Sequence, residues 1–119
     1  MCYNTSMNKK WFKLQEWVAS CLKELDSNGR STKGSGNSTE KGDVYFSTNI
    51  GLHIECKCYQ KKNVWDVEWL KKCAEEIPFH SKKMPIVVTE NNKEERHVHL
   101  SAEDFFDMYI KYWELKNGK

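Results

Sequence analysis

The sequence contains no long apolar run. Its N-terminal residues are polar, and no stretch of the 119 residues is apolar enough for a signal peptide or a membrane-spanning helix. The five cysteines are an odd number, and no secretory segment precedes them. Such cysteines are typical of a reducing environment. We therefore expect a cytoplasmic protein without membrane association.

The sequence also has little excess charge. Nineteen Lys and Arg oppose 17 Asp and Glu, which leaves a formal net charge of +2, so bulk charge does not predict nucleic-acid binding. A local basic surface is the alternative, because basic residues gather in loops and at the ends of predicted elements. Those that such a surface would use to contact nucleic-acid phosphates are Arg30, Lys33, Lys41, Lys61 and Lys62. Dispersed solubilising charge explains the same residues equally well.

Closely spaced cysteine pairs of the structural zinc type are absent. Such sites usually contain two cysteines separated by two to four residues, whereas a single residue separates Cys56 from Cys58. In a strand both sulfurs would point to the same face, so we predict buried free thiols. A zinc site that combines them with Cys73, His53 or His80 is the less favoured alternative.

The length and composition predict one ordered domain over residues 1–119. The chain can form a single core, and its 39% hydrophobic and 30% charged residues are ordinary for a soluble protein. Residues 1–7 are expected to be a loose N-terminus. Residues 27–42 contain four Gly, four Ser and two Thr, which predicts a flexible loop. Loops of this length usually have a function, and we interpret this one as a substrate-binding loop, with a plain surface loop as the alternative.

Apolar periodicity predicts three helices. The first runs from Asn8 to about Leu25, and the second spans about 65–77 and ends before Pro78. The third follows Ser101, a predicted N-cap, and is apolar over a broad face. We expect this last helix either to cover the sheet or to form part of a dimer contact.

Four strands complete the predicted fold. Residues 42–60 read as two short strands joined at 48–51, of which the second alternates from Leu52 onward. Met84–Thr89 is β-branched and apolar, which predicts a buried strand parallel to the second one, and 96–100 predicts an edge strand. The result is an α/β (α+β) fold, a mixed sheet flanked by helices in the order αββαββα.

Three charged residues of residues 42–60 form a candidate site. Glu55 and Lys57 lie on the same face of their strand, opposite the predicted core face, and eleven residues separate Asp43 from Glu55. A short hairpin can bring these two carboxylates together, and converging carboxylates suit a hard divalent cation such as Mg²⁺. An adjacent Lys57 could stabilise negative charge or orient a water, which points to metal-assisted hydrolysis.

This pattern resembles the active-site signature of the PD-(D/E)xK nucleases. Within that superfamily, Gly42-Asp43-Val44 and Ile54-Glu55-Cys56-Lys57, with the polar loop opened by Arg30-Ser31, are most similar to small Holliday-junction resolvases of archaea and phages. Gly42 stands where the family often has Pro. The resemblance covers residues 30–60 and implies a restriction-endonuclease-like fold.

The resemblance also implies an activity and a set of roles. Asp43 and Glu55, with the backbone carbonyl of Cys56, would hold Mg²⁺ or Mn²⁺, and Lys57 would assist the attacking water. A first-helix carboxylate, from Glu16 or Glu24, would join the metal site. The expected substrate is DNA, most of all a branched or four-way junction, and the expected assembly is a homodimer. A non-catalytic nucleic-acid-binding or interaction module with a nuclease-like fold is the alternative.

Overall fold

The computed structural model describes residues 5–31, 43–47, 50–58 and 67–118, with the backbone alone for 5–10. Within these residues the chain forms three helices and five strands. They are, in order, α1 (Thr5–Cys21), β1 (Arg30–Ser31), β2 (Val44–Tyr45), β3 (Leu52–Cys58), α2 (Val67–Glu75), β4 (Met84–Glu90), β5 (Arg96–His99) and α3 (Ala102–Asn117). The predicted mixed fold of helix, strands, helix, strands and helix is confirmed.

A three-stranded mixed sheet in the order β3-β4-β5 positions the site. β3 and β4 are parallel, with Leu52 opposite Met84 and Cys58 opposite Glu90, and β5 is antiparallel to β4. Parallel neighbours require a crossover, which α2 provides between the two strands. The predicted parallel pairing and the placement of the 96–100 strand at a sheet edge are therefore both confirmed.

The small sheet differs from the prediction. β2 pairs in antiparallel fashion with β1, with Arg30 opposite Tyr45, instead of forming a hairpin ladder with β3. β1 lies in the segment that we predicted to be a loop, and it pairs with β2 in the place where we expected β3. One backbone hydrogen bond still joins this region to β3, since the Asp43 N–H donates to the Ile54 carbonyl at 2.7 Å. Residues 32–42 of the predicted loop lie outside the described residues.

The core lies between α1 and one face of the large sheet. Its central strand residues are Ile54 and Cys56 of β3 and Ile86 and Val88 of β4, all buried. The residues of α1 that pack in this cluster are Leu14, Val18 and Ala19. The predicted core face of β3 is confirmed, because Leu52 and Cys58 also pack against the cluster. α2 packs against the opposite face of β3.

The helix ends show where periodicity misleads. α1 ends at Cys21 rather than near Leu25, because the chain turns through the hydrogen bond from Leu22 N–H to the Ala19 carbonyl. At α3, Ser101 accepts a hydrogen bond from the Asp104 N–H at 3.1 Å, which confirms the predicted N-cap. None of the described helices is both long and apolar enough to cross a membrane.

α3 does not cover the sheet. None of its residues is buried, and its eight large apolar side chains are between 43% and 85% exposed. They are Phe105, Phe106, Met108, Tyr109, Ile110, Tyr112, Trp113 and Leu115. Of our two expectations for this helix, the first is therefore wrong, and the apolar face is available to a partner.

Candidate metal and catalytic site

A polar cleft lies between β3 and α2. The side chains of His53, Glu55 and Lys57 leave β3 on the face opposite the core, because alternate residues of a strand point to the same side. The cleft has a volume of about 150 Å³ and is lined by Glu55, Lys57, Trp69, Lys72, Cys73 and Glu76. The strand and the helix therefore supply charged groups to one enclosed space.

Two backbone hydrogen bonds fix Asp43 at the edge of this cleft. Its N–H donates to the Ile54 carbonyl, and its carboxylate Oδ2 accepts the Cys56 N–H, each at 2.7 Å. Burial raises the pKa of Asp43, the Cys56 amide and Lys57 oppose that rise, and the nearby Glu76 carboxylate adds to it. The structure thus brings Asp43 next to β3, as the sequence predicts.

Glu55 is a strongly perturbed carboxyl of the cleft. Burial raises the pKa of Glu55 to about 8, and a hydrogen bond with Glu76 and the charge of Asp43 contribute to the rise. Lys57 acts in the opposite direction, and its Nζ lies 5.9 Å from the centre of the Trp69 ring. Asp43, Glu55 and Lys57 therefore interact with one another, and a third carboxylate accompanies them.

Sequence reasoning missed Glu76, and it named His53 only as a ligand of the less favoured zinc alternative. Glu76 follows the last residue of α2, and its Oε1 lies 2.9 Å from Nε2 of His53, a side chain only 2% exposed. The ligand atoms of His53, Glu55 and Glu76 all lie within 4.8 Å of one another. The two-residue step from His53 to Glu55 could have revealed the histidine. No local signal marks Glu76, because its position depends on how α2 packs.

The first-helix carboxylates do not join the cluster. Glu16 accepts the Ser31 N–H at 3.0 Å and so holds β1 against α1. Glu24 is exposed in the turn that follows α1. Neither carboxylate is among the groups that shift the pKa of Asp43 or Glu55. In the described residues, the third carboxylate that accompanies Asp43 and Glu55 is Glu76.

The predicted DNA-binding residues are only partly described. Arg30 belongs to β1, and its guanidinium carbon lies 4.8 Å from the centre of the Tyr45 ring. Lys33, Lys41, Lys61 and Lys62 lie outside the described residues. The basic surface around the cleft therefore stays a prediction.

The cysteines of the sheet and of α2 are free thiols. Cys56 and Cys73 are buried, as predicted, and Cys58 is half-buried. Burial, with the nearby Glu55 and Glu76 carboxylates, raises the pKa of Cys73 to about 12, and burial likewise raises the pKa of Cys56. The grouped ligand atoms of the cleft belong to a histidine and two carboxylates, with no cysteine among them.

Comparison with known proteins finds no relative of this chain: no family model, curated protein or solved structure matches it. The geometry of the cleft is therefore the basis for inferring a function.

Proposed function

We propose that this protein is a metal-dependent endodeoxyribonuclease that hydrolyses phosphodiester bonds in the cleft between β3 and α2. One observation carries the proposal: Asp43, Glu55 and Lys57, which match the nuclease-like motif, interact in one partly buried cleft. Perturbed carboxyls in a cleft are typical of functional sites.

The donor set of the cleft fits a hard divalent cation. The Asp43, Glu55 and Glu76 carboxyl groups interact with one another, and once ionised they would repel an approaching phosphate diester unless a cation neutralises them. We propose that Asp43, Glu55 and the Cys56 backbone carbonyl hold Mg²⁺ or Mn²⁺. Such an ion supplies an acidified water and polarises a phosphoryl oxygen.

The protein groups have separate roles in this scheme. The Cys56 amide keeps the Asp43 carboxylate oriented, so that the acid does not need to reorganise when substrate arrives. Lys57 places an ammonium group beside Glu55, where it can orient the attacking water and stabilise the charge that develops on the phosphate. The half-buried Trp69 beside Lys57 limits its contact with solvent.

The proposed substrate is DNA with a branched or four-way structure. This proposal rests on the similarity of the motif to junction resolvases and on the basic residues that the sequence predicts to bind DNA, of which Arg30 is described and exposed. A four-way junction has approximate two-fold symmetry, so two symmetric cuts need two active sites.

α3 offers the surface for a second copy of the chain. At roughly 100 Å² for each of its eight exposed apolar side chains, the face amounts to roughly 800 Å², which is what one partner contributes to an interface of standard size. The first turn of α3 carries Glu103 and Asp104, and the last turn carries Lys116. An antiparallel pair of α3 helices would place acidic ends against basic ends. We therefore propose a homodimer with two-fold symmetry.

Cleavage of labelled DNA tests the proposed activity. We expect the parent protein with Mg²⁺ to cut a four-way junction but not the matched linear duplex, and we expect chelation to abolish cutting. Glu55→Ala and Lys57→Ala should each lower the rate by at least about 100-fold. Glu24→Ala is the control, because this carboxylate lies outside the cluster.

Two outcomes would redirect the assignment. Cleavage by Glu55→Ala at the parent rate would show that the site is wrong. An inactive parent that also binds no Mg²⁺ or Mn²⁺ would favour the second candidate, a binding module with a nuclease-like fold.

A further inference from the structure

We infer that the cleft contains a second cation position, formed by His53 and Glu76 with Glu55 shared, and that it selects first-row transition ions such as Mn²⁺ over Mg²⁺. The inference deepens the proposed function, on which it rests for the role of Glu55 in the first position. The chemistry of the new position differs because a ring nitrogen takes part.

The three groups are close to coordination geometry. Their ligand atoms lie within 4.8 Å of one another, whereas ligands of a common ion at about 2.1 Å lie roughly 3 to 4 Å apart. Closing that difference needs side-chain movements of about 1 Å or less. Glu76 lies just beyond the end of α2 with a half-exposed side chain, so it has the freedom to make the movement.

The three side chains of this position already contact one another. Glu55 hydrogen-bonds to Glu76, and Glu76 contacts the ring of His53 at 2.9 Å. Two carboxylates can share a hydrogen bond only when one of them carries a proton. A divalent cation can replace these protons, and its charge of two balances the two carboxylates.

Burial makes His53 a well-placed ligand. The residue is 3% exposed, and β3 and β4 hold its backbone through their parallel ladder. The Cys73 thiol contacts the His53 carbonyl at 3.5 Å, which ties α2 to the same residue. Rigid elements therefore hold the imidazole against Glu76, and little entropy is lost when it binds an ion.

The ligand type sets the preference for the ion. Mg²⁺ favours an octahedral shell of oxygen atoms, whereas imidazole nitrogen favours first-row transition ions. Asp43, Glu55 and a backbone carbonyl offer oxygen alone, while His53 adds nitrogen on the other side of Glu55. The two positions should therefore differ in selectivity.

Electron spin-echo spectroscopy of bound Mn²⁺ tests the inference directly. The probe is MnCl₂ added to the purified full chain without DNA. We expect modulation from a coordinated ¹⁴N nucleus in the parent protein, and its loss in His53→Gln. His80→Gln is the matched control, since His80 is exposed in the turn before β4, and it should keep the parent signal.

Titration calorimetry supplies the second measurement. We expect Mn²⁺ to bind the parent at least about tenfold more tightly than Mg²⁺, and His53→Gln and Glu76→Gln each to reduce the preference to about threefold or less. Glu76→Gln guards against a folding defect at the buried histidine, because the Glu76 side chain is 42% exposed. Circular dichroism confirms that both variants are folded.

The outcomes separate this inference from the proposed function. Bound Mn²⁺ without ¹⁴N modulation, or modulation that persists in His53→Gln, overturns the inference even if the protein cuts DNA. Modulation that depends on His53 in a protein that cuts no DNA supports the metal position and removes the nuclease assignment.

Discussion

At the scale of single residues, the carboxyl groups that form the proposed site also lower the stability of the folded protein as the pH rises. Glu55 has a folded-state pKa of about 8 against an ordinary value of 4.5, so the folded protein keeps a proton that the unfolded chain has released. The stabilisation is complete below about pH 4.5 and is lost as the pH rises through 8. A cation would remove the conflict by replacing the proton.

Glu55→Gln should therefore stabilise the metal-free protein at alkaline pH. Solvent reaches part of Glu55, so we expect a gain of about 1 kcal/mol in the free energy of unfolding at pH 9, below the full linkage value. Between pH 5 and pH 9 the parent should lose stability, and the variant should lose less. Urea unfolding with chelator present measures both.

Added Mg²⁺ should make the parent protein more stable than Glu55→Gln. Saturating Mg²⁺ is expected to stabilise the parent by about 2.7 kcal/mol at 100 times its Kd and to leave Glu55→Gln nearly unchanged. Glu24→Gln, at an exposed position, is the control and should follow the parent in both series. A Glu55→Gln protein as pH-sensitive as the parent would contradict the crowding that we describe.

Cysteine reactivity provides an independent check of burial. Cys21 is exposed, whereas Cys73 is buried with a pKa of about 12. At pH 8, a soluble disulfide reagent should label Cys21 within minutes and label Cys73 only when denaturant is added. Peptide mapping by mass spectrometry identifies the labelled positions. Rapid labelling of Cys73 in the native protein would show that α2 does not cover β3 as described.

The sequence predicts part of the cleft for a simple reason. Glu55 and Lys57 lie two residues apart on a strand, so local geometry alone places them on one face. Asp43 can reach Glu55 because the chain between them is short enough to turn back on itself. Glu76 is 21 residues beyond Glu55, and its place depends on the packing of α2, which no local pattern encodes. The first-helix acid was expected from the family resemblance alone. In the described residues, Glu76 is the third carboxylate that interacts with Asp43 and Glu55 instead.

At the scale of elements, the packing of α1 against β3 supports the site from the opposite face of the strand. Leu14 of α1 is fully buried against the β3 residues whose neighbours line the cleft. Removing its side chain beyond Cβ leaves a cavity beneath the strand. Leu14→Ala should therefore lower the free energy of unfolding by about 2 to 5 kcal/mol.

Leu25→Ala is the matched control for this prediction. Leu25 was predicted to lie on the same helical stripe, but it is 62% exposed beyond the end of α1. Its replacement should change the free energy of unfolding by less than about 0.5 kcal/mol. Equal losses for the two variants, measured by chemical denaturation, would mean that the helix continues through Leu25.

Element ends and very short strands were the least predictable features of the fold. Apolar periodicity continues through Leu22 and Leu25, yet α1 ends at Cys21, where the Leu22 N–H donates to the Ala19 carbonyl. In the turn that follows, Asp26 accepts the Asn28 N–H at 2.9 Å. β1 has two residues and no strand-like pattern. Long-range contacts hold it, since Ser31 hydrogen-bonds to both Gln15 and Glu16 of α1.

At the scale of the whole molecule, α3 is the feature that the core does not explain. The helix is well capped at both ends, with Gly118 in the left-handed conformation at φ 71°. Within the described residues, no other element buries its apolar face. Periodicity predicted the helix and its apolar face correctly. What covers that face could not be read from one chain, because a second copy leaves no separate signature in the sequence.

Sedimentation equilibrium tests the proposed dimer. We expect the parent protein to sediment as a dimer at micromolar concentration, and Tyr109→Glu combined with Trp113→Glu to give a folded monomer, because buried unpaired charge disfavours the contact. Phe79→Ser is the control, since Phe79 is fully exposed but outside α3. A monomeric parent would exclude the paired helices, and with them two coordinated cuts in one junction.

The parallel pairing of β3 with β4 also sets when the cleft can form as the chain is synthesised. Every side chain of the cleft has been added by residue 76, but the strand that pairs with β3 spans Met84–Glu90. Until that later segment leaves the ribosome, β3 lacks its partner in the large sheet, and the acidic groups have no frame to hold them together. A growing chain would therefore carry all the residues of the proposed nuclease without its activity, and would acquire that activity only when the crossover closes.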